Sequence, residues 1–179
     1  MGRTLVYRIV LSIALTLSLF GYASEAQSRR MYDVKMSVQD MANGYARWEM
    51  AHNRPHQGEI MLPMLEIYSP DGTLIYHGGQ NDTGRAAQVL DSLPALPSSP
   101  PSLADKMSLS EMLDMTPDLA KYKSTILNAH HFVVISLSMQ GDWKKSNAYT
   151  EQNHAVDSIP KRQGVNLDVV RINLSFPQN

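Results

Sequence analysis

Two stretches constrain the fold of this chain more than any others. Residues 131–139 (HFVVISLSM) and 165–174 (VNLDVVRINL) are nearly unbroken runs of apolar and β-branched residues. A strand with one wet face alternates apolar and polar residues. A run that is apolar on both sides needs cover on both faces, as in a parallel sheet beneath helices. The segment between them, 140–164, is far longer than a hairpin loop and long enough for a helical crossover. Within it Ala148, Gln152, Ala155 and Ile159 fall on one helical side. The pattern therefore predicts neighbouring parallel strands joined by a helix, right-handed by the general rule for such units. The first strand should be central. The second should lie nearer an edge, because Asn166, Asp168 and Arg171 need water or partners. Its alternation changes phase at Val169 and Val170, which predicts a bulge or a change in burial.

The rest of the chain carries shorter signals. Residues 27–33 are polar and expected to be loose. Val38, Met41, Tyr45 and Trp48 form one stripe of an amphipathic helix that Asn53-Arg54-Pro55 ends. Gly44 weakens that helix by about 1 kcal/mol relative to Ala. Residues 60–68 and 73–77 predict a hairpin turned by Ser69-Pro70-Asp71-Gly72. Thr83 is expected to cap a helix with Ala86, Val89, Leu90 and Leu93 on its face. Residues 94–102 (PALPSSPPS) hold four of the ten prolines and read as an extended linker. Ser108 and Glu111 have capping-box spacing. Thr116-Pro117 opens another helix faced by Leu119, Tyr122, Ile126 and Leu127.

The beginning of the chain reads as an address. Arg3 and Arg8 precede an apolar run over residues 9–22, and small residues follow. This is the pattern of a secretory signal peptide cut after Ala26 or Ala23. The run is shorter than the ~20 residues of a spanning helix, so no stable membrane span is expected after cleavage. The expected organisation is a signal peptide at 1–26, a helical extension at 27–57 and a single α/β domain at 58–179. The expected compartment is the periplasm or the secreted space.

Composition removes whole classes of chemistry. The 179 residues include no cysteine. Disulfides, thiolate metal sites, iron–sulfur clusters and thiol–disulfide exchange are therefore excluded. With 43% hydrophobic and 18% charged residues the chain is too apolar for disorder and too polar for a multi-span membrane protein. A net charge of −1 gives no basic footprint for nucleic acid.

Two pieces resemble parts of the thioredoxin-like superfamily. One runs from Pro63 through Glu66, Asp71-Gly72 and His77 to Gly78-Gly79. It is similar to the family's closing hairpin, with a proline before a strand, a tight turn, a second strand and a glycine pair, and a helix follows it. The other, residues 131–139 followed by Gly141, Asp142, Trp143, Lys144 and Lys145, resembles the central strand and redox turn. The resemblance implies a three-layer α/β/α sandwich with a mixed sheet, and a cis bond at Pro63 beside the active face. The redox-turn position, Asp142, Trp143, Lys144 and Lys145, holds no sulfur, so no catalytic residue carries over. The two pieces also stand in the reverse of the family's order. Either the chain is a permuted member or only one of the pieces belongs to the family.

No catalytic motif stands beside this. There is no nucleophile elbow, no phosphate-binding glycine loop and no HExxH pattern, and no cofactor signature. His52 and His56 are four apart, but Pro55 between them breaks helical geometry. His130 and His131 open a strand, where neighbours point to opposite faces. They and Met61 and Met64 are the candidate copper ligands, since thioethers and imidazoles serve that metal without thiolates. The reading that follows is a non-catalytic extracytoplasmic binding or accessory protein whose partner is a protein or envelope component. A His/carboxylate-dependent secreted enzyme and a Met/His copper-handling protein are the alternatives.

Overall fold

The computed structural model describes residues 29–54, 62–79, 82–93, 103, 105–139, 147–159 and 165–176. The expected signal segment, the proline-rich linker, Met61 and the Asp142 to Lys145 position lie outside the described residues. The architecture is mixed α/β: an open, five-stranded mixed sheet and, among the described residues, six helices.

In chain order the elements are β1 (Arg29–Ser37), α1 (Val38–Ala51), β2 (Met64–Tyr68), β3 (Leu74–Gly78), α2 (Thr83–Asp91), α3 (Leu109–Asp114), α4 (Pro117–Ala120), α5 (Lys123–Leu127), β4 (Phe132–Met139), α6 (Asn147–Ser158) and β5 (Leu167–Ser175). The sheet order is β1-β5-β4-β2-β3. β1, β5 and β4 are parallel, while β2 is antiparallel to both β4 and β3.

The two apolar runs are parallel neighbours with α6 between them in sequence, and β4 is the middle strand. Seven of its eight residues are buried. β5 lies nearer the edge, yet it is not itself an edge, because β1 covers its other side. No bulge interrupts β5: both its registers run unbroken. The phase change is a change in burial, continuous over residues 167–170 and alternating from Arg171 onward.

Residues 29–33 are not loose. They open β1, and the segment expected as a helical extension supplies a strand of the sheet. Polar Arg29, Arg30, Asp33 and Lys35 masked the alternation of Tyr32, Val34 and Met36, whose side chains reach the core.

Strand alternation divides the core in two. Val34, Met64, Tyr68, Ile135, Leu137, Val170 and Ile172 meet Met41 of α1, Met112 and Leu113 of α3, Leu119 of α4 and Ile126 of α5. The opposite set, Leu65, Ile67, Val134, Leu167 and Val169, meets Leu90 at the end of α2, Leu93 beyond it, and Ala155 and Val156 of α6. Burial of side chains this size stabilises by roughly 1.5–3 kcal/mol each.

Local devices set the element ends. Ser37 caps α1 by accepting from Asp40 N–H. Gly44 serves close packing: a Cβ there would stand 3.0 Å from the Met115 carbonyl oxygen, which also accepts from Arg47 at 2.7 Å. The hairpin turn closes through Gly72 N–H to Ser69 O, with Gly72 at φ 84°, a conformation glycine adopts without strain. Ser108 and Glu111 form a reciprocal capping box on α3. Thr83 is the first residue of α2 rather than its cap, which is Asp82. The helix expected from Thr116-Pro117 breaks at Lys121 and Tyr122 into α4 and α5.

Candidate functional site

The three parallel strands begin at one end of the sheet, and there β1, β5 and the residue before β4 bring Arg30, Asp168 and His131 together. Arg30 and Asp168 are register partners. Arg30 donates from Nε to Asp168 Oδ1 at 2.8 Å and from Nη2 to Oδ2 at 2.6 Å, a two-pronged, charge-assisted pair. His131 Nδ1 lies 3.2 Å from Oδ1. Asp168 is 0% exposed. Its hydrogen bonds hold the Arg30 guanidinium above its ordinary pKa, against the opposing effect of desolvation. Asp168 and Arg171, three apart on one strand, do not pair. Arg171 turns to Asp157 on α6 from the other face.

A cavity of about 320 Å³ opens beside this cluster. The hairpin turn (Pro70, Asp71, Gly72), the start of α3 (Ser108, Leu109, Ser110), the end of α5 (Ile126, Leu127) and His130 and His131 line it. Leu109 N–H bonds Gly72 O, fixing turn against helix. Asp71 accepts from the Ser69 hydroxyl and from Thr73 N–H, which hold its carboxyl below the usual range. His130 is exposed and sits at φ 52°, a left-handed conformation uncommon outside glycine. His131 is turned inward, with its side chain 13% exposed.

A second buried acid lies on the same face of the sheet. Glu66 is 3% exposed and directly cross-strand from His77 and from Ile135. The Tyr68 hydroxyl donates to Glu66 Oε2 at 2.8 Å, and His77 Nδ1 lies 3.0 Å from Oε1. Burial pushes the Tyr68 and Tyr45 hydroxyls well above their ordinary pKa, and Glu66 adds to both effects. A third pair, His52 Nε2 and Glu111 Oε1 at 2.9 Å, joins the end of α1 to the start of α3.

At the opposite end of the sheet β4 finishes and β2 starts. Pro63 stands there, and the Leu62–Pro63 bond is cis. Buried Gln152 on α6 donates to Met64 O at 3.1 Å and to Ser136 Oγ at 2.9 Å, satisfying polar groups inside the sheet–helix layer.

Of the candidate copper ligands, the described Met64, His130 and His131 do not converge. Met64 is a core residue opposite Leu137. His130 and His131 precede β4, roughly 20 Å away at 3.3 Å per strand residue. Among the described residues no group of three or more His, Asp or Glu side chains is placed to hold a metal.

Sequence reasoning did not find the acid–histidine pairs. Glu66 inside an apolar strand was the available signal, since a buried carboxylate requires partners. The partners of Asp168 come from 138 and 37 residues away, beyond any local pattern. Compared with family models, with curated proteins and with solved structures, the chain matches none. Among the described residues no helix is long and apolar enough to cross a membrane.

Proposed function

We propose that this is a non-catalytic, extracytoplasmic binding or accessory protein on a permuted thioredoxin-like scaffold, a three-layer α/β/α sandwich without the redox cysteines. The strand order carries the reading. A strand–helix–strand unit, β4-α6-β5, lies beside an antiparallel hairpin, β2-β3, with the hairpin's first strand against the unit's first strand. Those two halves, joined in the reverse order, match the two pieces of sequence that resemble the family. The surface it uses is the end of the sheet where β4 finishes and Pro63 stands, which is where parallel α/β sheets generally bind. Trp143, Lys144 and Lys145 follow β4 in sequence there.

The test is cross-linked capture from envelope extracts with the processed chain and a Trp143→Ala variant. A discrete envelope protein held by the former and lost from the latter is expected. No capture in any growth state, with the folded protein confirmed, overturns the reading. Sequencing of the processed N-terminus is expected to begin at Gln27 or Ser24.

One observation favours a second reading, a secreted enzyme using histidine and carboxylate. His131 lies within hydrogen-bond reach of a buried acid and lines a cavity, the arrangement of a histidine oriented by an aspartate. Turnover of any substrate in a panel of esters, amides and phosphoesters, abolished in His131→Gln, would establish it. No turnover by the unmodified chain removes it.

A further inference from the structure

We infer that β1 is the interface for a second copy of this chain, paired antiparallel about a two-fold axis through Val34. β1 ends the sheet and pairs only β5 among the described residues. Among the described residues no second strand pairs with its outer row of backbone groups, which another strand can complete. Val34 and Met36 are buried on one face, and Met31, Asp33 and Lys35 are exposed on the other. Among the described residues neither Asp33 nor Lys35 has an ion-pair partner. Arg171, the register neighbour of Asp33, is taken by Asp157.

Charges on an edge strand ordinarily repel partners. Here their signs select one. A two-fold axis pairs identical strands antiparallel, and the two covered faces fall on the same side only when the axis passes through a residue. Centred on Asp33 or on Lys35, the pairing sets that charge against its own copy. Centred on Val34, Asp33 of each copy faces Lys35 of the other, twice. Tyr32 then faces Met36, which continues the apolar face that packs beneath α1 and α4, and Met31 faces Ser37.

The test is the mass of the processed chain by sedimentation across a range of concentrations and salt. A dimer that weakens with salt is expected. Asp33→Lys and Lys35→Asp should each raise its dissociation constant about tenfold or more, because cross-strand attraction becomes repulsion at two sites. The double variant, Asp33→Lys with Lys35→Asp, should restore it. A monomer at every concentration, a dimer indifferent to the single reversals, or a double variant that stays monomeric overturns the inference. Circular dichroism checks that each variant folds. If one does not, the absence of native cysteine permits a second measurement. A mixture of Asp33→Cys and Lys35→Cys chains should form a disulfide-linked dimer on mild oxidation, because the two positions stand directly opposite, whereas either variant alone offers only the longer diagonal pair and should not; failure of the mixture to join overturns the register.

Discussion

Asp168 and Glu66 are two acids buried on the same face of one sheet, and they are kept there by different means. Asp168 has a guanidinium on two prongs and a histidine behind it. Glu66 has a tyrosine hydroxyl on one oxygen and a partly exposed histidine on the other, and among the described residues no arginine or lysine pairs with it. A buried charge needs both neutralisation and filled hydrogen bonds. Asp168 obtains both from β1. Glu66 obtains its bonds from Tyr68 and His77 within the hairpin. The Arg30 pair ties distant strands together, whereas the Glu66 cluster tightens one local unit.

The reference point for both is a carboxylate with no partner at all. Ile135→Asp places one directly cross-strand from Glu66, at a fully buried position. It is expected to cost at least about 4 kcal/mol, and urea unfolding should find the variant largely unfolded in buffer. Arg30→Ala leaves Asp168 buried with, among the described residues, only His131 beside it, and should cost about 3 kcal/mol. That is a fall in Tm of roughly 6–12 °C for a chain this size. A loss under about 1 kcal/mol would mean that water or His131 suffices. Tyr68→Phe removes one neutral donor and is expected to cost about 1–2 kcal/mol, less than Arg30→Ala in the same assay.

Alkali tests the Glu66 cluster most strongly. Burial, with Glu66 beside them, raises the Tyr68 and Tyr45 hydroxyls well above their ordinary value of 10.0. The folded chain therefore keeps these protons where the unfolded chain releases them. Their contribution is intact below about pH 10 and is lost as pH rises beyond it. Stability should fall steeply there, and Tyr68→Phe should flatten the fall. His77→Ala, at a side chain 30% exposed, should change stability by less than about 1 kcal/mol.

What could be read from the sequence follows from how local each cause is. β4 and β5 were legible as parallel neighbours because their own residues demand cover on both faces. The hairpin and the α3 cap were legible because turn and cap chemistry lie within four residues. β1 was not, because its apolar set is only every second residue between four charges, and half of it faces solvent. The break between α4 and α5 was hidden by an apolar spacing that both short helices share. Asp168 was legible as a residue that wanted partners, and not as one that would find Arg30. Nothing near either residue encodes the other.

The pairing of β1 with β5 also sets an order of events. Arg30 and Asp168 are 138 residues apart, so an emerging chain presents its first strand long before the strand that receives it has been made. Until then β1 lacks the strand it pairs with, and β4 lacks its parallel neighbour. Such distant pairings slow folding, because the loop must close before any contact rewards it. At an elongation rate of about 5–20 residues per second, the open interval lasts roughly ten seconds. Throughout it the outer half of the sheet, β1 with β5, cannot form, although β2, β3 and β4 already have one another.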